Sequence, residues 1–332
     1  MFENKSILIT GGTGSFGNKF VEMILSRFNP SRIVIYSRDE FKQDQMNKKF
    51  KESLPKDEWR KLRFFIGDVR DKDRLYRAFR GIDYIIHAAA MKQVPACEYN
   101  PFEAIKTNIH GAQNIVDAAI DNHVKKVVAL STDKAVNPVN LYGGTKLVSD
   151  KLFISGNAYS GGAGTIFSVV RYGNVAGSRG SVIPLFQKLT AEGQNKLPIT
   201  DERMTRFWIT LEEGVELVFK AFKESKGGET YISKIPSFKI TDLAKAINPN
   251  CEFDFIGIRE GEKLNEVMVA KDDSFYCYEY DKHYIVYPHF DWWNSKDFLT
   301  QGGVKVESGF EYNSGTNKEW LSVDELSKKI KK

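Results

Sequence analysis

Short, continuously apolar runs alternate with longer amphipathic stretches through the first 172 residues of the chain. Apolar runs of about four to eight residues are typical of strands buried on both faces, and the stretches between them have the length of helices. The predicted strands span residues 5–10, 32–36, 62–66, 82–88, 124–131 and 165–171. The predicted helices span residues 16–28, 39–61, 75–79, 103–123 and 142–154.

This alternation predicts an α/β fold, a doubly wound parallel (Rossmann) sheet whose crossovers are right-handed. The rhythm weakens after Tyr172, where residues 173–201 are rich in glycine, serine and proline. Two further helices are predicted over residues 207–222 and 239–247. We therefore predict a Rossmann domain made of residues 1–172 and about 206–232, and a smaller, discontinuous α/β lobe made of residues about 173–205 and 233–332.

The 332 residues carry a net charge of +5, with lysine and acidic residues interleaved along the chain. That pattern is typical of a solvated surface and provides no basic stripe for nucleic acid. No apolar run approaches the roughly 18 residues that span a membrane, and no signal peptide is visible. The three cysteines form no Cys-x-x-Cys pair, so we expect no metal site, no disulfide framework and a reducing, cytoplasmic location.

A glycine-rich loop joins the first predicted strand to the first predicted helix. Glycines in this context allow a tight turn and a close approach of the backbone to a pyrophosphate, which the free N–H groups of the helix N-terminus then bind. The strand before and the helix after supply the context that the motif requires. The loop therefore predicts a dinucleotide site, with candidate contacts from Gly11, Thr13, Gly14, Ser15, Phe16 and Gly17.

The end of the second predicted strand bears on which dinucleotide binds. An acidic residue there usually holds the ribose hydroxyls of NAD, whereas Ser37 and Arg38 occupy that place here and Lys42 follows. A hydroxyl and cations suit a 2′-phosphate, so NADP is favoured, and Asp39 keeps NAD possible. Asp68 and Val69, after the third strand, are expected beside the adenine.

Tyr142 and Lys146 form a Tyr-x-x-x-Lys element at the start of a predicted helix. Their spacing of four places both side chains on one face. An ammonium beside the phenol is expected to lower the pKa of Tyr142, so that it can act as a base toward a sugar hydroxyl, and Lys146 can hold the nicotinamide ribose. Thr132, at the end of the fifth predicted strand, would complete a dehydrogenase arrangement.

Together with His87 to Ala90 and Asn108, these motifs resemble the extended short-chain dehydrogenase/reductase family over nearly the whole chain. The resemblance implies that Ala88 and Ala89 contact the cofactor and that the substrate is a nucleotide sugar. Retaining hexose 4,6-dehydratases of that family carry Thr-Asp-Glu where this chain has Thr132, Asp133 and Lys134.

Lys134 in the glutamate position, and only ten positions from Thr132 to Tyr142, resemble instead the inverting UDP-N-acetylglucosamine 4,6-dehydratases of the pseudaminic acid pathway. The resemblance implies that Tyr142 removes the O4 proton while hydride passes from C4 to NADP⁺. Lys134 then removes the C5 proton, Asp133 protonates the departing 6-hydroxyl, and hydride returns to C6 with inversion at C5. The product would be UDP-2-acetamido-2,6-dideoxy-β-L-arabino-hexos-4-ulose.

These roles place opposite demands on two neighbouring residues. Lys134 must be neutral to act as a base, and we expect burial to depress its pKa. Asp133 must keep its proton to act as an acid, which opposes a salt bridge between the two. A retaining dehydratase or C4 epimerase of a nucleotide sugar, and a catalytically idle nucleotide-binding scaffold, remain alternatives.

The resemblance also places the UDP-sugar. Cations for the diphosphate are expected from arginines, whose forked guanidinium groups suit phosphate oxygens. Family contacts imply that Glu262 holds the uridine ribose, that Asn174 approaches the diphosphate and that the sugar lies near Lys92; the arginines are Arg206 and Arg259. The predicted helices over residues 103–123 and 142–154 often pair between subunits in this family, so a homo-oligomer, dimer or hexamer, is expected.

Overall fold

The computed structural model describes residues 1–177, 182–290, 293 and 299–331. Within these residues the largest sheet has ten strands, and seven of them are parallel in the order β3-β2-β1-β4-β5-β6-β9. Three antiparallel strands, β14, β13 and β15, extend it beyond β9. The strands of this sheet are β1 (Ser6–Thr10), β2 (Arg32–Ser37), β3 (Leu62–Ile66), β4 (Tyr84–His87), β5 (Lys126–Thr132), β6 (Ile166–Tyr172), β9 (Thr230–Ser233), β13 (Cys277–Glu279), β14 (His283–Val286) and β15 (Val304–Lys305).

Helices cover both faces of the sheet and continue into the C-terminal half. They are α1 (Ser15–Arg27), α2 (Glu40–Ser53), α3 (Lys56–Trp59), α4 (Lys72–Ala78), α5 (Val94–Tyr99), α6 (Pro101–Ile105), α7 (Gly111–Asp121), α8 (Leu141–Ser160), α9 (Val182–Ala191), α10 (Leu211–Glu224), α11 (Ile240–Ile247) and α12 (Val323–Ile330). Short strands pair outside the main sheet: β7 (Lys196–Ile199) with β11 (Glu252–Phe255), β8 (Thr205–Phe207) with β10 (Ser237–Lys239), and β12 (Val267–Val269) with β16 (Tyr312–Asn313).

Alternating residues of each central strand enter different cores. In β1, Ile7 and Ile9 join one apolar cluster with Phe20 of α1, whereas Leu8 joins the other with Ile115 of α7. All five side chains are fully buried. Burial on both faces is why these strands are apolar throughout, and it confirms the predicted doubly wound parallel sheet.

A third apolar cluster lies apart from the sheet. It combines α9 and β7 with α11 and α12, through side chains such as Phe186, Leu197, Leu243 and Leu326. The segments that build it are far apart in the sequence, as in a discontinuous lobe. The predicted domain boundaries stay a prediction, but the strands between residues 277 and 305, which that division assigned to the lobe, hydrogen-bond into the main sheet.

The segment predicted as one helix over residues 207–222 is partly wrong. Residues 205–207 form β8, and α10 begins only at Leu211. The reason is a capping box, in which the Thr210 hydroxyl accepts from the Glu213 N–H while the Glu213 carboxylate accepts from the Thr210 N–H. The short strands after β6 have too few residues to show a period of two.

The N-terminus of α8 packs tightly on the turn that follows β5. Asn140 caps the helix by accepting from the Gly143 N–H at 2.7 Å. A Cβ at Gly143 would lie 2.2 Å from the carbonyl oxygen of Lys134, so only glycine allows this approach. This contact therefore fixes the start of α8 against residues 133–135, the turn that follows β5.

Replacing Gly143 by alanine should push α8 away from this turn. We expect a loss of about 3 kcal/mol in the free energy of unfolding, because backbone atoms must move to admit the methyl group. Gly144→Ala is the matched control, since nothing lies within 4 Å of a Cβ there and alanine favours the helix. Chemical denaturation measures both; equal stability of the two variants would contradict the tight packing.

Candidate active site

A cleft of about 580 Å³ opens at the carboxyl ends of the parallel strands. Such clefts lie where the strand order of an open α/β sheet reverses, here between β1 and β4. Most of the predicted site residues meet in its wall. They are Gly11, Thr13, Gly14, Ser15, Phe16, Ser37, Arg38, Lys42, Asp68, Val69, Ala88, Ala89, Lys92, Thr132, Tyr142, Lys146 and Asn174.

One end of the cleft is the glycine loop. Gly11 has a φ of 63°, and a Cβ there would lie 2.9 Å from the Cα of Ala89, so the two loops touch backbone to backbone. Gly14 is the N-cap of α1 and provides no side-chain cap, which leaves N–H groups of the first turn facing the cleft. An anion at this position would complete the helix N-terminus.

Gly17 was predicted as a cofactor contact, but it does not line the cleft. A Cβ at this position would lie 2.0 Å from the carbonyl oxygen of Gly12. The absence of a side chain at Gly17 therefore lets α1 pack closely on the loop, and its contact with the cofactor stays a prediction.

Beyond the glycine loop, the cleft is lined by charged residues after β2 and β3. The hydroxyl groups of Thr13 and Ser37 are 3.0 Å apart. The Arg38 guanidinium lies 3.5 Å from the Asp68 carboxylate, and Arg70 lies 2.8 Å from the same group. Although partial burial opposes it, the hydrogen bonds from Arg70 lower the pKa of Asp68 below its ordinary value. Arg38 remains 57% exposed and can turn toward a ligand.

The predicted Tyr-x-x-x-Lys pair lies on one face of α8, beside the end of β5. Lys146 donates to the carbonyl oxygen of Leu130 at 2.9 Å, and burial lowers its pKa. The prediction that a neighbouring ammonium leaves Tyr142 with a pKa below its ordinary value is wrong. Burial raises the pKa of Tyr142 to about 12, against the opposing effects of the Lys134 charge and a hydrogen bond with Thr132.

Asp150 lies one turn beyond Lys146 on the same face, and sequence reasoning missed it. It is 2% exposed, accepts from the Ser131 hydroxyl at 2.6 Å and lies 3.8 Å from Arg171. Burial raises its pKa, although the charges of Lys146 and Arg171 act in the opposite direction. The helical spacing of four from Lys146 was the signal that could have revealed it.

Lys134 lies in a buried charge cluster next to the cleft. Its Nζ atom is 3.1 Å from Asp133 Oδ1, 3.2 Å from Glu266 Oε1 and 3.2 Å from Asn174 Oδ1. Asp133 and Glu266 are 1% and 2% exposed, whereas the Lys134 side chain is 20% exposed. Asn174 lines the cleft, so it connects the cluster to the substrate space.

This cluster corrects two expectations. Burial alone would lower the pKa of Lys134, but the Asp133 and Glu266 carboxylates raise it above the ordinary value for lysine. The charged form of Lys134 is therefore favoured, and Lys134 forms the salt bridge with Asp133 that the sequence argued against.

Three predicted substrate residues lie away from the wall of the cleft. Arg206 is buried, donates to the carbonyl oxygen of Thr205 at 2.7 Å and lies 3.7 Å from Glu266. Arg259 and Glu262 form an ion pair with each other in the loop before β12. Asn140, the cap of α8, donates to the Gly261 carbonyl oxygen at 2.7 Å, which ties that loop to the start of α8.

Other residues of the site were not predicted at all. Glu266 carries no motif, because it is a single acidic residue far along the chain from Lys134. The cleft is also lined by side chains whose positions only the folded strands and helices determine, namely Thr107, Leu130, Ser131, Tyr172, Val175 and Leu211.

Within the described part of the chain, no group of three or more His, Cys, Asp or Glu side chains could hold a metal ion. No helix in the same residues is long and apolar enough to cross a membrane.

Comparison with known proteins gives concordant matches. Residues 7–288 match the family described as "Polysaccharide biosynthesis protein". The chain is 55% identical over 331 residues to a Campylobacter jejuni protein named UDP-N-acetylglucosamine 4,6-dehydratase (inverting), covering 98% of this chain and 97% of that one. It is 42% identical to a Rickettsia akari protein named UDP-glucose 4-epimerase, covering 99% and 96%. The solved structure of Pen from Bacillus thuringiensis has a TM-score of 0.89 and 37% identity, covering 99% and 98%.

The charge cluster predicts the effect of removing its cation. Lys134→Met leaves the Asp133 and Glu266 carboxylates buried without their lysine partner, so we expect a loss of about 3 kcal/mol in the free energy of unfolding at neutral pH. Lys92→Met, at an exposed lysine in the wall of the same cleft, is the control and should change little. Urea denaturation of both variants checks this, and an unchanged midpoint for Lys134→Met would contradict the ion pairs.

Proposed function

Because the chain belongs to the polysaccharide biosynthesis protein family, we propose that it is an inverting UDP-N-acetylglucosamine 4,6-dehydratase. The observation that carries this proposal is the arrangement of Asp133 and Lys134, which lie beside Tyr142 at the end of β5. A dehydration needs an acid and a base in addition to the groups that oxidise C4. The site brings these two kinds of group together.

A C4 epimerase is the second candidate, because the Rickettsia akari relative carries that name. Epimerisation at C4 requires Tyr142 and the cofactor site but gives Asp133 and Lys134 no proton to move. The ion pair of Asp133 and Lys134 therefore favours dehydration. The close approach of Gly143 to the Lys134 carbonyl oxygen holds the turn of these two residues against α8.

The cleft fits a nicotinamide dinucleotide. The glycine loop approaches Ala89 so closely that a side chain at Gly11 would fill the cradle, and the uncapped start of α1 offers N–H groups to a pyrophosphate. When bound, such a cofactor would supply the acceptor for hydride from C4 of the sugar and the donor of that hydride to C6. We propose NADP over NAD, since Arg38 and Lys42 can bind a 2′-phosphate at the far end of the cleft.

The residues around the sugar then divide the proton transfers. Tyr142 takes the O4 proton, and the nearby Lys134 charge opposes the rise in its pKa that burial causes. Lys146 lies four positions from Tyr142 and one turn from Asp150, where it can bind ribose hydroxyls. Thr132 shares a hydrogen bond with Tyr142 and donates to Asp133 at 2.9 Å, so it joins the two halves of the site.

The salt bridge between Lys134 and Asp133 also provides a path for a proton between the two residues. Transfer of one proton over the 3.1 Å from Nζ to Oδ1 makes Lys134 a neutral base and Asp133 a protonated acid. Lys134 can then remove the C5 proton while Asp133 protonates the departing 6-hydroxyl. Water leaves, a C5–C6 double bond forms, and both residues return to their charged states.

Other parts of the proposal concern the surroundings of the site. Arg206, Arg259 and Glu262 would bind the UDP part, and Lys92 would approach the sugar. A homo-oligomer in the cytoplasm, supplying the pseudaminic acid pathway, also remains a prediction. The exposed apolar side chains of Val148 and Tyr159 on α8 support subunit pairing through that helix.

Incubation with UDP-N-acetylglucosamine and NADP in deuterated water tests the function. We expect a 6-deoxy-4-keto sugar with the L-arabino configuration and deuterium at C5, identified by NMR. A D-xylo ketosugar would indicate a retaining dehydratase, and a 4-epimer that keeps its 6-hydroxyl would indicate an epimerase. Lys134→Ala should abolish dehydration; full activity in that variant would contradict its assignment as the base.

Arg38→Ala tests the choice of cofactor. Loss of this cation should weaken NADP binding at least about ten-fold and leave NAD binding nearly unchanged, since only NADP carries the 2′-phosphate. Arg203→Ala is the control, because Arg203 is also an exposed arginine paired with an aspartate but lies in another part of the chain. Calorimetric titration measures both affinities, and equal effects on NAD and NADP would rule out the proposed phosphate contact.

A further inference from the structure

Glu266 is a buried carboxylate that approaches the catalytic lysine from a distant part of the sequence. It directly precedes β12, is 2% exposed and lies 3.2 Å from Lys134 Nζ. Its backbone is fixed in both directions by Ser314, whose hydroxyl accepts from the Glu266 N–H at 2.9 Å and whose N–H donates to the Glu266 carbonyl oxygen at 2.8 Å. The backbone of Glu266 is therefore held in place.

The two carboxylate oxygens of Glu266 have different surroundings. Oε2 is buried and makes no hydrogen bond to any described residue, so the carboxylate interacts with its charged neighbours through Oε1. Oε1 faces Lys134 and, at 3.7 Å, the Nε atom of Arg206. Burial of an unpaired carboxylate destabilises a protein, and Lys134 and Arg206 are the cations that pair with Glu266.

Every element around Lys134 contributes a polar or charged group. Asp133 lies beside it in the same turn, Asn174 comes from the segment after β6, and Tyr142 comes from α8. Arg206 of β8 and Lys263 of the loop before β12 add positive charge that favours loss of the lysine's proton. Only the Asp133 and Glu266 carboxylates among these groups oppose that loss.

We propose that Glu266 is a positioning residue for Lys134: it holds the ε-amino group at the end of β5, opposite Asp133, and favours its charged form. The proposal rests on the proposed function, in which Lys134 acts at C5.

The two carboxylates around Lys134 have different tasks in this account. Asp133 exchanges a proton with Lys134, and Glu266 keeps the nitrogen in place during that exchange. With Asp133 as its sole anionic partner, the flexible lysine chain would be free to rotate toward solvent, since 20% of it is exposed. Geometry of this kind matters because a displacement of about 1 Å can cost on the order of a hundred-fold in rate.

The charge of Lys134 can be measured without substrate. Acetic anhydride reacts only with the neutral amine, so its rate at pH 9 reports the deprotonated fraction of each lysine, read by mass spectrometry. In Glu266→Gln, the rate at Lys134 relative to exposed Lys92 should rise at least about ten-fold, because one nearby carboxylate lowers the deprotonated fraction by that much or more.

Turnover measures the positioning. Glu266→Ala should lower kcat for UDP-N-acetylglucosamine at least about ten-fold with KM changed less than about three-fold, because the lysine loses its anchor while the residues that line the cleft are unchanged. Glu266→Gln keeps an oxygen that accepts from Lys134 and should recover most of kcat. A purely structural role would not produce this rescue together with the change in labelling.

Glu229→Gln is the matched control, since Glu229 is equally buried but accepts from the backbone N–H groups of Lys226 and Gly227. Its labelling ratio should equal that of the wild type. An unchanged ratio in Glu266→Gln, or wild-type kcat in a folded Glu266→Ala, would overturn the proposal. If Glu266→Ala does not fold, the labelling ratio still decides. Wild-type protein that does not turn over UDP-N-acetylglucosamine would count against the proposed function, and labelling would test the Glu266 contact independently.

Discussion

The ion pairs of Lys134 are the interaction on which the site depends. They join the turn after β5, which the main sheet positions, to Glu266, which directly precedes β12 in the C-terminal part of the chain. A buried cation between two carboxylates is stable only while all three groups are in place. The charge cluster around Lys134 is therefore assembled from the two halves of the sequence, and its charge balance depends on both.

The sheet supplies the geometry for this assembly. Parallel strands end along one edge, so the glycine loop after β1, Thr132 at the end of β5 and Asn174 after β6 all face one cleft. Close backbone contacts then fix the helices, with Gly17 setting α1 against Gly12 and Gly143 setting α8 against Lys134. Glycine at these positions is required by the approach of neighbouring backbone atoms.

Much of this could be predicted from the sequence, because the apolar strands and the glycine loop are local patterns with a known physical cause. The pKa of Tyr142 and the charge of Lys134 could not, since burial and distant partners decide them. Glu266 lies 132 positions from Lys134, and no spacing rule connects them. The position of Arg206 could not be predicted for the same reason. It lies on β8, which pairs with β10, and it is buried against Glu266.

The proposed roles place Lys134 at C5 of the sugar and Tyr142 at its O4. A crystal structure of the Tyr142→Phe variant with NADP and UDP-N-acetylglucosamine would show both positions. We expect the Lys134 Nζ atom within about 3.5 Å of C5 and the ring of residue 142 beside O4. A sugar bound with its C5 remote from Lys134, or with Lys134 paired to the diphosphate, would contradict these roles.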